Sequence, residues 1–86
     1  MKTVSYVIQD TLGLHARPAG QLVKESGRYK SKITLKMGEQ SVRCNRLIAL
    51  MGMQIKQGDE IQLTAEGEDE AQACEGLLQF LQDNRV

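Results

Sequence analysis

The chain of 86 residues is short of most groups that do chemistry. It holds one histidine, His15, one proline and two cysteines, Cys44 and Cys74. The cysteines form neither a CxxC motif nor a Cys/His cluster, which argues against a metal site. No G-x-x-x-x-G-K-[ST] loop or kinase signature is present, so nothing points to ATP or another cofactor. No second histidine, catalytic serine arrangement or carboxylate pair suggests hydrolysis, and a freestanding enzyme is disfavoured. Eleven basic residues balance eleven acidic ones, which argues against nonspecific nucleic-acid binding. No apolar stretch approaches the ~20 residues of a membrane span, so no stable membrane insertion is expected. The N-terminus runs straight into Lys2-Thr3-Val4-Ser5-Tyr6-Val7-Ile8 without the apolar core of a secretion signal. A cytoplasmic protein with reduced thiols is expected. There is no repeat, linker or low-complexity segment, and the length suits one domain over residues 1–86.

Hydrophobic periodicity supplies the elements. Val4, Tyr6 and Ile8 alternate with Thr3, Ser5 and Val7, which reads as a strand with one face toward a core. Ala16, Ala19, Leu22 and Val23 recur at helical spacing, predicting a helix over Ala16–Ser26 with Gly27 as a left-handed C-terminal cap. Ile33, Leu35 and Met37, a turn at Gly38-Glu39-Gln40, then Val42 and Cys44 predict a β-hairpin. Asn45 is placed to cap a short helix across Leu47–Met53. Ile61, Leu63 and Ala65 alternate as a fourth strand. Asp69 followed by Gln72 resembles a capping box, ahead of a helix with the stripe Ala71, Cys74, Leu77, Leu78 and Leu81. The order is β-α-β-β-α-β-α. Each strand has one apolar face and each long helix one stripe, so the simplest assembly is α+β: a four-stranded antiparallel sheet with three helices on one face. Both cysteines fall on inward faces, as core residues.

The single histidine stands in Thr11-Leu12-Gly13-Leu14-His15-Ala16-Arg17-Pro18-Ala19-Gly20. Pro18 suits the first turn of a helix, where its missing N–H removes no intrahelical bond. His15 then falls at or beside the N-cap, next to free backbone N–H groups at Ala16 and Arg17 and the positive end of the helix dipole. Such an end holds phosphoryl oxygens and disfavours an imidazolium, leaving a neutral, nucleophilic ring. Arg17 brings a fork of donors to the same place. A lone histidine is more often a surface or structural residue, but this combination points to a phosphohistidine site. Leu47, Ile48, Leu50, Met51 and Met53 put five large apolar residues into seven positions of a short helix, and opposite faces cannot all point inward. Leu50 and Met53 are expected inside, with Leu47, Ile48 and Met51 exposed as a methionine-bearing docking patch.

Gly13-Leu14-His15-Ala16-Arg17-Pro18-Ala19 resembles the active-site signature of the HPr family, the histidine-containing phosphocarriers of the bacterial sugar phosphotransferase system. The likeness continues through Leu22-Val23-Lys24-Glu25, Leu47-Ile48-Ala49-Leu50-Met51-Gly52-Met53, Gly58-Asp59-Glu60-Ile61 and Asp69-Glu70-Ala71, and covers essentially the whole chain. It implies an open-faced β-sandwich in which His15 accepts a phosphoryl group, at Nδ1 by family precedent, and Arg17 stabilises it. It implies an enzyme I-type donor charged by phosphoenolpyruvate, enzyme IIA-type acceptors, and docking through the region of Leu47, Ile48 and Met51, with Arg46 at its edge. Nothing suggests an obligate dimer, and a monomer is expected. Arg46 stands where the family has a regulatory serine, so control by a serine kinase and a co-repressor role are put in doubt. Two alternatives follow: an HPr-like regulatory binding module, or a carrier in a non-sugar phosphorelay. Retention of His15 and Arg17 together favours the carrier.

Overall fold

Period-two alternation becomes a single sheet. The computed structural model describes all 86 residues. Its elements are β1 (Lys2–Val7), α1 (Ala16–Ser26), β2 (Lys32–Met37), β3 (Gln40–Arg43), α2 (Leu47–Gly52), β4 (Glu60–Glu66) and α3 (Glu70–Asp83). The strands lie in the order β1-β4-β2-β3, every pair antiparallel. Register is set by the apolar positions: Val4 faces Leu63, Ile33 faces Ala65, and Leu35 faces both Leu63 and Val42. A one-residue slip would turn each apolar set to solvent. Ile33, Leu35, Ile61, Leu63 and Ala65 are buried, while Lys32, Lys36, Glu60 and Gln62 between them are exposed. The helices cover that apolar face, and the other is left open to solvent.

One cluster of 18 buried residues joins the sheet to the helices. Leu22 of α1, Leu50 of α2 and Leu77 and Leu81 of α3 are almost completely buried, each contributing about 1.5–3 kcal/mol of burial. Cys44 and Cys74 lie in the same cluster as free thiols. Burial pushes the Cys44 thiol up to about 12, and burial also raises Cys74, so neither is a nucleophile at neutral pH. No helix is long and apolar enough to cross a membrane.

Several local expectations are corrected. Gly27 follows α1 with φ −67°, right-handed, and its N–H bonds the carbonyls of Val23 and Glu25. The chain runs on through turn bonds from Arg28 and Tyr29 to Glu25 and Ser26, so no left-handed reversal is required. The N-cap of α2 is Arg46 rather than Asn45, with no side-chain bond to the helix, and α2 ends at Gly52 with Met53 as its C-cap. Asp69 is the N-cap of α3 but makes no capping bond. Its carboxylate instead accepts from the backbone N–H groups of Lys30 (2.8 Å) and Ser31 (2.9 Å) and from the Ser31 hydroxyl. The start of α3 is thereby tied to the two residues that lead into β2. The inward faces also shift in phase: Ala16 and Ala71 are exposed, while Pro18 and Ala73 are buried. Leu78 is half-buried at the edge of the α3 stripe.

Candidate functional site

The loop between β1 and α1 is shaped before it reaches His15. Asp10 opens a turn in which its Oδ1 accepts from Leu12 N–H (2.9 Å) and its carbonyl accepts from Gly13 N–H (2.9 Å). Gly13 has φ +69°, a conformation that costs other residues strain. A Cβ there would run into the Ile55 carbonyl and Lys56 backbone, and Leu14 N–H donates to that same carbonyl (3.0 Å). Buried Leu14 then anchors the loop in the core. The loop is therefore clamped to the segment between α2 and β4, one residue before the histidine. From the other side, Gln9 and Asp10 N–H groups donate to the Val86 carbonyl (2.6 and 2.9 Å). Leu12, apolar at the tip of this turn, is mostly exposed and leaves the clamp to its backbone.

His15 is the N-cap residue of α1, in extended backbone conformation, and its carbonyl accepts the first helical bond, from Ala19 (3.0 Å). Its side chain makes no capping bond. Ala16 and Arg17 N–H groups have no backbone acceptor, Pro18 has no N–H to spend, and no acidic residue occupies the first turn. Orphan donors at the positive end of a helix dipole are thus left available to an anion. The ring is about one-third exposed, with Nε2 3.2 Å from Asp10 Oδ2. Arg17 is exposed and in no ion pair. Asp10, His15, Arg17, Pro18, Gln21, Asn84 and Val86 line an open, mostly polar cavity of about 250 Å³. This space is large enough for a phosphoryl group and too open to enclose a small metabolite.

Four of the residues lining the cavity, Asp10, Gln21, Asn84 and Val86, escaped the sequence reading. Asp10 carried a local signal, an aspartate three residues before a glycine, which marks a turn. That its carboxylate meets the histidine depends on the clamp at Gly13. Asn84 carried none, being brought in by the end of α3.

The five apolar residues near α2 divide between two environments. Leu50 and Met53 are buried, at 0% and 6% exposure, whereas Leu47, Ile48 and Met51 are 38%, 87% and 42% exposed. Arg46, Leu47, Ile48 and Ala49 line a shallow apolar depression. Helix α2 packs beside α1, so this surface neighbours the helix that carries His15. No three His, Cys, Asp or Glu side chains are grouped to hold a metal ion.

An open antiparallel sheet backed by three helices, with a histidine and free N–H groups at the surface end of one of them, is the arrangement of a phosphohistidine carrier domain. The model for the PTS HPr component phosphorylation site matches residues 2–83. The phosphocarrier protein HPr of Lysinibacillus sphaericus is 41% identical over 81 residues, covering 94% of this chain and 92% of that protein. A histidine-containing phosphocarrier structure from Mycoplasma superposes with a TM-score of 0.94 at 36% identity, over 99% of this chain and 97% of the other. The catabolite repression protein Crh of Bacillus subtilis, described as a dimer with a swapping domain, matches at TM-score 0.76 and 32% identity over 94% and 93% of the two chains. The chain belongs to the HPr family of phosphocarriers of the phosphotransferase system.

Proposed function

We propose that His15 is the phosphoryl acceptor, that Arg17 stabilises the transferred group, and that the backbone N–H groups of Ala16 and Arg17 hold its oxygens. The observation that carries this reading is the unspent helix end: two donors without acceptors, no acidic residue in the first turn, and a histidine at the N-cap whose side chain does not cap. The donor is an enzyme I-type protein and the acceptors are enzyme IIA-type proteins. The open shape of the cavity supports protein partners over small molecules. Leu47, Ile48 and Met51 form the docking surface, with Arg46 at its edge, and exposure of these three apolar side chains supports that role. The 86 residues act as one domain in the cytoplasm, a reading supported by a continuous core and two free, buried cysteines. They act as a monomer, and the swapped dimer of Crh sets the alternative that sizing in solution distinguishes.

The test is phosphoryl transfer from phosphoenolpyruvate through an enzyme I-type donor. Wild type is expected to gain one acid-labile phosphate and His15→Ala none, with unchanged melting. Label on His15→Ala would defeat the assignment. In the same assay Met51→Asp is expected to slow transfer to and from partners, because a charge in an apolar contact must be desolvated. Unchanged rates with donor and every acceptor would remove the docking role.

A further inference from the structure

Asp10 is held in place by groups that have no need of its second oxygen. Oδ1 accepts from Leu12 N–H, the backbone N–H donates to the Val86 carbonyl and the backbone carbonyl accepts from Gly13. What remains, Oδ2, lies 3.2 Å from Nε2 of the only histidine. Hydrogen bonds from the Leu12 N–H and from His15 hold the Asp10 carboxyl below its ordinary value, so it is ionised at neutral pH. An ionised carboxylate only accepts hydrogen bonds. Nε2 must therefore donate, and in a neutral imidazole this places the single proton on Nε2 and leaves Nδ1 with its lone pair. Nδ1 has no hydrogen-bond partner in the structure.

We propose that Asp10 is a positioning residue for phosphoryl transfer: it fixes the Nε2–H form of His15, presents Nδ1 to the incoming phosphorus, and stays paired with the ring charge that the attack creates. This rests on His15 being the acceptor. In the step, the Nδ1 lone pair forms the N–P bond. The bond from phosphorus to the donor atom breaks, and its electron pair leaves with the donor. No proton leaves the ring, which keeps the Nε2 proton and becomes a phosphoimidazolium against the Asp10 carboxylate. In onward transfer the N–P electron pair returns to the ring, and the leaving group is neutral imidazole rather than imidazolate. Asp10 thus keeps the phosphorylated carrier in its transferable form. Among the side chains lining the cavity, Asp10 from the loop and Arg17 from α1 are the charged ones beside His15, and those of Pro18, Gln21, Asn84 and Val86 are uncharged. Arg17 complements the phosphoryl oxygens, and Asp10 complements the ring.

The experiment has two parts. Nitrogen-15 NMR of His15 in the unphosphorylated protein reports the tautomer directly. Wild type is expected to carry the proton on Nε2 at neutral pH, and Asp10→Asn to show a mixture. A wild-type ring protonated on Nδ1 would overturn the proposal with no variant needed. The second part follows dephosphorylation against pH in the phosphorylated proteins. Asp10→Asn is expected to move the midpoint of the profile to lower pH by about one unit, the usual effect of removing one opposite charge at this range. Asp10→Glu is expected to restore part of the shift. A profile superimposing on wild type would also overturn the proposal. Absence of acid-labile phosphate on wild type overturns the acceptor reading and the ring-charge step with it, while the tautomer result separately decides the Asp10 contact.

Discussion

The two long helices begin in opposite ways. At the start of α3, Glu70 occupies the first turn and Asp69 ties the N-cap to Lys30 and Ser31, just ahead of β2. At the start of α1, the first turn holds no acidic residue, the N-cap side chain makes no capping bond, and two N–H groups are left without acceptors. A helix whose first turn carries an acidic side chain is stabilised by it. One whose first turn carries none forgoes that stability and keeps its donors for an outside anion. The difference separates a structural helix end from a working one in the same molecule, with α2 and its Arg46 N-cap as a third case. There a cation at the positive end of a helix gives no local gain, and its place is beside the exposed apolar patch.

The largest way to break this contrast, short of removing the histidine, is to remove the cation that serves the working end. Arg17→Ala is expected to lower the phosphoryl-transfer rate by about 10²–10³-fold, the scale for losing one preorganised donor at a developing charge. Steady-state transfer from a phosphorylated donor checks it, and a loss below tenfold would show that the N–H groups suffice. A smaller effect comes from making α1 begin as α3 does. Ala16→Glu is expected to stabilise α1 by about 0.3–1 kcal/mol through the dipole. It is also expected to slow transfer by roughly tenfold, through repulsion between the new carboxylate and the phosphoryl oxygens near a protein surface. Melting and transfer should therefore move in opposite directions, and parallel changes would refute the comparison.

The smallest effect is read at the structural end. Hydrogen bonds from the Ser31 hydroxyl and the Lys30 N–H hold the Asp69 carboxyl below its ordinary value of 3.8. A carboxyl depressed in the folded state contributes stability that is present above its unfolded value and lost as pH falls through the folded one. Asp69→Asn is therefore expected to melt below wild type at neutral pH, with the gap closing as pH drops below 3.8. Phosphoryl transfer at neutral pH should be unchanged. A constant gap down to low pH would show that the ionised carboxylate is not the stabilising form.

Much of this architecture was legible in the order of residues. Ile33 and Leu35, and Ile61, Leu63 and Ala65, alternate so regularly that strand position and inward face follow from period two alone. The α2 residues divided as helical geometry requires, because a six-residue helix cannot bury the four large side chains of Leu47, Ile48, Leu50 and Met51 spread around its axis. Errors gathered where local and distant partners compete. Asp69 had the spacing of a cap, but donors on Lys30 and Ser31, just ahead of β2, claimed its carboxylate. Gly27 had the residue type of a left-handed cap, but the continuing turn toward Tyr29 kept it right-handed. Ala71 and Ala16 were misplaced because alanine is too small to set the phase of a stripe.

The sequence by itself determined the elements, the apolar faces and the placing of the one histidine at a proline-started helix, since each depends on neighbours within a few residues. Only the tertiary structure decided that Asp10 turns its carboxylate to the ring, that Asn84 and Val86 come to line the cavity, and that Asp69 is spent on Lys30 and Ser31. These contacts depend on loop closure at Gly13 against Ile55 and on the docking of α3. Their partners are chosen by packing in space, which residue spacing along the chain does not encode.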